Sequence, residues 1–247
     1  MKRMGLFLSV VLMMFWVAGC GGGGDDGNSS PSPVTTQSIA GIWIGSFTSN
    51  VSHRTFSILG VITEQGMARF ISTALHTEYT ADRLNVSGNN FSATATVYGG
   101  AGRYDGTAEL AGTFTQRGNI NGTFAGVGDA GSFSLAYNSL YERPSSLEAI
   151  AGTWTNYASG YYEKFTIDSN GNVSRPVISG CTTSGSVSII DPRYNVYAVN
   201  LTVNNCGDEN GFYRGLAVMT DTEASNDTIV GSANTTTHSV IADLRRD

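Results

Sequence analysis

Side chains able to do nucleophilic, acid–base or metal chemistry are few in this chain and widely spaced. The three histidines, His53, His76 and His238, lie far apart, and the cysteines are Cys20, Cys181 and Cys206. No Gly-x-Ser-x-Gly elbow, phosphate-binding loop or His-Glu-x-x-His pair occurs. Two downstream thiols and three scattered imidazoles make a poor metal site, since a closed zinc site needs four converging ligands. Asp168-Ser169-Asn170-Gly171-Asn172 sets oxygen side chains at alternate positions, as a calcium loop does, but lacks the bidentate Glu that ends such a loop. It reads as a hairpin turn. The segment from Asn204 to Gly211 is similarly rich in oxygen. The expectation is a protein without metal or cofactor and without catalysis, a carboxylate dyad assembled only by folding being the one arrangement left open.

The cysteine nearest the N-terminus has a distinctive setting. Met1-Lys2-Arg3 is basic, Gly5 to Ala18 is apolar, and Val17-Ala18-Gly19 are small residues directly before Cys20. An apolar run of this length is too short for a membrane span, which takes about twenty residues, and its order is that of an export signal. The segment resembles the signal peptide and lipobox of bacterial lipoproteins, with Val17 where leucine is usual. That resemblance implies cleavage before Cys20 and acylation of its thiol, so the membrane becomes a partner through lipid. Gly21 is not the aspartate associated with inner-membrane retention in enterobacterial lipoproteins, which favours the outer membrane, on its periplasmic or its surface face. With Cys20 committed to lipid, Cys181 and Cys206 remain as an even pair in an oxidising compartment, and a disulfide is expected.

Loss of Lys2 and Arg3 with the leader lowers the 14 basic residues to 12 against 20 acidic, moving the net charge from −6 to −8. This excludes nucleic acid as a partner, because phosphate binding needs a basic face. The segment 21–37, GGGGDDGNSSPSPVTTQ, has almost nothing to bury and reads as a flexible tether with a typical reach of about 20 to 25 Å. A glycine-rich run after the acylated cysteine is also similar to the anchors of surface-exposed barrel lipoproteins such as transferrin-binding and factor H-binding proteins, whose binding residues do not align here.

Beyond the tether the chain repeats. Ser38-Ile39-Ala40-Gly41-Ile42-Trp43 returns as Ala149-Ile150-Ala151-Gly152-Thr153-Trp154. The expected organisation is leader 1–19, acylated cysteine and tether 20–37, first domain 38–143 and second domain 144–247, with a short linker at Glu142-Arg143-Pro144-Ser145-Ser146. Strand patterns over 107–116, 119–124 and 132–137 correspond to 213–220, 228–233 and 238–244. Phe91, Ala93, Ala95 and Val97 alternate with polar residues, as do Tyr197, Val199, Leu201 and Val203, giving one apolar and one wet face. Gln65-Gly66, Gly88-Asn89, Arg117-Gly118 and Asn170-Gly171 supply hairpin turns. No helical spacing appears after the leader. About eight short-looped strands per copy, with no helix to cover an edge, predict an all-β fold of two up-and-down antiparallel barrels, since closure removes edges.

Each Gly-x-Trp resembles the opening of the lipocalin and avidin (calycin) barrels, and Gly152-Thr153-Trp154-Thr155-Asn156 is especially similar to the latter. The resemblance implies that Trp43 and Trp154 plug one end of each barrel. It also implies that a basic residue after the last strand stacks on the indole: Arg143 for Trp43, and Arg245 and Arg246 for Trp154. Biotin recognition does not carry over, because the later strands hold no tryptophan. Small residues at Ala93, Ala95, Gly112 and Gly122 either leave room for one small ligand or fit the barrel's taper. Tyr157, Tyr161 and Tyr162, beside Glu163 and Lys164, fit a strand as well as a recognition surface. The expected function is a lipid-anchored envelope module binding a protein or a small apolar ligand. The alternatives are an architectural subunit with filled barrels and a periplasmic inhibitor of a hydrolase.

Overall fold

The computed structural model describes residues 37–157 and 162–247. The leader, Val17 to Cys20, the tether up to residue 36 and Tyr161 lie outside them. The first copy folds into β1 (Gly41–Ser49), β2 (Thr55–Ile62), β3 (Ala68–Ser72), β4 (Thr77–Ala81), β5 (Asn85–Ser87), β6 (Asn90–Tyr98), β7 (Tyr104–Phe114), β8 (Asn119–Gly126) and β9 (Asp129–Asn138). A short helix α1 (Leu147–Ile150) precedes β10 (Gly152–Asn156), β11 (Glu163–Ile167), β12 (Asn172–Ser174), β13 (Thr182–Ile189), β14 (Tyr197–Asn204), β15 (Gly211–Thr220), β16 (Thr228–Asn234) and β17 (Ser239–Arg246).

Both copies close as eight-stranded antiparallel barrels, as the pattern predicts. In the first, β1-β2-β3-β4-β6-β7-β8-β9 form the ring through the β4–β6 and β1–β9 pairings, and β5 pairs only with β6. In the second, β10 to β17 run in order and β10 closes on β17. The turn dipeptides sit where the backbone needs positive φ: Gly66 at 85°, Gly88 at 58°, Arg117 at 54° and Gly171 at 82°.

Inward positions build two separate cores. Phe47, Phe70, Phe91, Leu110, Phe124 and Leu135 fill the first barrel, and Ile167, Val187, Tyr197, Met219, Ile229 and Leu244 the second. A third cluster joins the barrels from outside: Ile42, Val61, Tyr141, Val196, Leu216 and Val218. Simple alternation therefore fails along this seam. All five residues of β3 are buried, as are Gly215 to Met219 of β15, because one face packs inward and the other against the neighbouring barrel. The described residues from 37 onward consequently form one compact unit.

The linker is ordered by the second barrel: Ser145 donates its backbone N–H to the Pro192 carbonyl at 3.1 Å. Ser146 caps α1, its Oγ accepting the Ala149 N–H at 3.0 Å. This segment leads from the Trp43 end of one barrel to the Trp154 end of the other, so both tryptophan-bearing ends lie on one side. Hairpins at the opposite, distal side touch as well, Arg103 of the β6–β7 loop bridging His238 of the β16–β17 turn.

Candidate functional site

A ligand would sit in a barrel interior, and that of the first barrel is packed. In the first barrel Phe47, Ile58, Phe70, Tyr79, Leu110, Phe124, Phe133 and Leu135 surround an apolar space of ≈ 20 Å³, room for about one water. The small residues noted in the sequence make room for rings. A Cβ on Gly122 would lie 2.5 Å from the Phe133 ring, and one on Gly112 would lie 2.9 Å from the Phe91 ring. Burial of Ala93 and Ala95 completes the packing. The glycines thus fit the taper.

The two tryptophans occupy matching places. Each is fully buried, and each indole Nε1–H donates to the carbonyl four residues earlier, Trp43 to Ile39 at 3.1 Å and Trp154 to Ile150 at 3.0 Å. What covers them differs. Register sets Arg246 opposite Trp154 and Tyr137 opposite Trp43. The Arg246 guanidinium lies 4.2 Å from the indole centroid and donates to the Ala151 and Ala149 carbonyls at 2.7 and 2.6 Å. Over Trp43 stands Tyr137, edge-on at 5.4 Å, with its hydroxyl donating to Glu142 at 3.2 Å. Burial and the nearby Glu142 charge push the Tyr137 phenol up to about 12.

Two expectations are corrected here. Arg143 lies past the end of β9, beyond the position opposite Trp43, and is committed across the seam in a two-pronged pair with Asp221 at 2.9 and 2.6 Å and a hydrogen bond to Asn226. Arg245 points to the opposite face of β17 from Arg246 and stacks on Tyr157 at 5.1 Å, not on Trp154. The glycine of each Gly-x-Trp is explained by these covers. A Cβ on Gly152, whose φ is 150°, would meet Arg246 Nη1 at 2.7 Å, and one on Gly41 would meet the Tyr137 ring at 2.8 Å.

The seam holds a buried charged group that sequence reading did not single out. Arg69 and Glu78, both buried and on the outward faces of β3 and β4, pair at 3.4 Å. Arg69 also donates to Asn234 Oδ1 at 2.5 Å and to the Arg214 carbonyl at 3.2 Å, both in the second barrel. Ser232 and Ser239 donate to the two Glu78 oxygens. Desolvation raises the Glu78 pKa above its ordinary value, against the lowering pull of Arg69 and the two hydroxyls. This constellation fixes the barrels to one another. The signal for it was the pair of near-continuous apolar runs, Leu59 to Ile62 and Leu216 to Met219, which mark strands buried on both faces.

Exposed apolar groups gather on the distal rim of the second barrel. Tyr157 and Tyr162, at the ends of β10 and β11, meet edge-on at 5.4 Å, and Tyr162 is 77% exposed. The adjacent β12–β13 hairpin carries Val177, 65% exposed, and Ile178. Glu163 and Arg175 tie the two hairpins together at 2.8 Å. The expected disulfide joins Cys181 to Cys206, with Cα atoms 4.7 Å apart, and links this hairpin to the β14–β15 turn.

The oxygen-rich segments serve as turns. Asp168 accepts from the backbone N–H groups of Asn170 and Asn172 and from the Asn172 amide, which holds its carboxyl below the usual range. Asp208 pairs with Arg103 at 2.7 Å. Among the described residues no cluster of His, Cys, Asp and Glu is placed to hold a metal ion. Comparison with family models, with curated proteins and with solved structures found no match to this chain.

Proposed function

We propose that the chain is a lipid-anchored, non-enzymatic envelope protein whose filled double barrel binds another protein through its outer surface. The observation that carries this is the pairing of a packed interior in the first barrel with an exposed aromatic and aliphatic rim on the second. The ≈ 20 Å³ space is far below the several hundred Å³ of ordinary ligand pockets, which counts against a small apolar ligand. Tyrosines with apolar neighbours supply rigid contact area of the kind enriched at protein interfaces. Residue 37 enters the fold at the tryptophan-bearing side, opposite this rim.

The buried Arg69–Glu78 seam favours a second reading, an architectural spacer in which two rigidly joined barrels set a distance in an envelope assembly. Native mass spectrometry of the protein purified from membranes should find the acylated mass with no further ligand; a bound small molecule would overturn the reading. Photo-crosslinking in intact cells from position 162, with position 94 on the first barrel as control, should trap a partner protein at 162 only. Equal trapping at both positions would count against the rim, and none at either would favour the spacer. Replacement of Cys20 by serine should release the protein from the membrane fraction.

A further inference from the structure

We propose that Cys181–Cys206 is a thiol–disulfide exchange site rather than an inert staple, with Cys206 the sulfur attacked and Cys181 the leaving thiolate. The two sulfurs have opposite surroundings. Arg175 Nη2 donates to Cys181 Sγ at 2.9 Å from a side chain only 10% exposed. Its Nε is buried without a partner, so Glu163 does not use up the guanidinium's donors. Cys206 Sγ instead faces the Asn204 carbonyl oxygen at 3.1 Å. A guanidinium stabilises a thiolate, whereas a carbonyl oxygen opposes one. Negative charge released by cleavage of the S–S bond therefore belongs on Cys181.

Both cysteines are half-buried, and Cys206 lies among exposed residues, Asn204, Asn205 and Gly207 to Asn210, on the β14–β15 turn, where a small dithiol can reach it, so the choice between the sulfurs rests on Arg175. The co-reactant is a dithiol. Its thiolate attacks Cys206 Sγ to form a mixed disulfide, while the electron pair of the broken bond leaves on Cys181 Sγ beside Arg175. The second thiolate of the reductant then displaces Cys206 and closes a disulfide within the reductant. Two electrons pass to the protein, and the two protons of the dithiol end on Cys181 and Cys206. Reduction removes the covalent tie between the hairpin bearing Val177 and Ile178 and the β14–β15 turn, leaving the β13–β14 pairing from Thr182 and Asn204 onward to hold it. The exchange chemistry stands whether or not the distal rim binds a protein.

Dithiothreitol serves as the probe on the full-length chain, with thiol formation followed by alkylation and mass. Arg175→Met should slow reduction about tenfold, and Glu163→Gln, which leaves the guanidinium's charge uncompensated, should speed it. With excess monothiol, the trapped mixed disulfide should map to Cys206. A mixed disulfide on Cys181 in the wild-type chain would overturn the proposal even if Arg175→Met fails to fold. Equal reduction rates for wild type and a folded Arg175→Met would overturn it too.

Discussion

The two barrels share topology, strand order and a buried Gly-x-Trp, yet each holds its shape differently. The first is filled with phenylalanine rings, Phe47 against Phe124 at 5.8 Å and Phe91 against Phe133 at 6.3 Å, seated on glycines, and has no crosslink. The second has a core of smaller aliphatic side chains and adds a disulfide and an arginine over its tryptophan. The difference teaches that the same barrel topology keeps its buried tryptophan under unlike covers and over unlike cores. Burying a Phe contributes about 1.5–3 kcal/mol. A disulfide closing a loop of 25 residues contributes about 3 to 3.5 kcal/mol in the chain-entropy model.

The largest effect expected is from the shared element. Trp43→Ala and Trp154→Ala should each cost about 3–5 kcal/mol, read from urea unfolding, and amide exchange should show loss of protection beginning in the barrel that carries the change. Protection lost equally in both would mean that the seam makes them one cooperative body. At that seam, Arg69→Ala leaves Glu78 buried and unpaired and should cost about 3–5 kcal/mol, whereas Arg69→Met with Glu78→Leu should come out near neutral. A costly double variant would show that the ionic pair itself stabilises the seam.

Removing the disulfide in the double variant Cys181→Ala, Cys206→Ala should cost about 3 kcal/mol and loosen the second barrel while the near-ultraviolet signal of the phenylalanine-rich barrel persists. Glu78 should also leave a trace in the pH dependence. Its folded pKa is raised above 4.5, so below that value the group is protonated in both states and imposes no penalty. As pH rises through 4.5 the unfolded chain ionises first, and stability falls. Subtracting the Glu78→Gln profile from that of wild type isolates this fall from the opposite trend of Asp221 and Asp227, whose pKa values are lowered. A flat difference would place the Glu78 charge elsewhere. The smallest effect belongs to the covers: Arg246→Met should cost about 0.5–2 kcal/mol and shift Trp154 fluorescence, while Arg143→Met should leave Trp43 emission unchanged. A shift of Trp43 on loss of Arg143 would restore the symmetric plug.

Much of the fold could be read along the chain because hairpins are local. Alternation at Phe91 to Val97 and turns at Gly66, Gly88, Arg117 and Gly171 need only neighbours in sequence, and β7, β8 and β9 fall close to the expected bounds. The plug was half legible. Each tryptophan announced itself by Gly-x-Trp, but what lies over it depends on strand register, which set Tyr137 where a basic residue was expected.

The sequence by itself determined that there are two all-strand copies, where they turn, and which cysteines pair, because alternation, turn residues and thiol number act over short range or by elimination. Only the tertiary structure decided that the first barrel is filled, that the two barrels are joined through Arg69 and Glu78, and that Arg175 faces one sulfur of the disulfide. Those outcomes turn on volumes and distances between residues far apart in the chain, which no local pattern encodes.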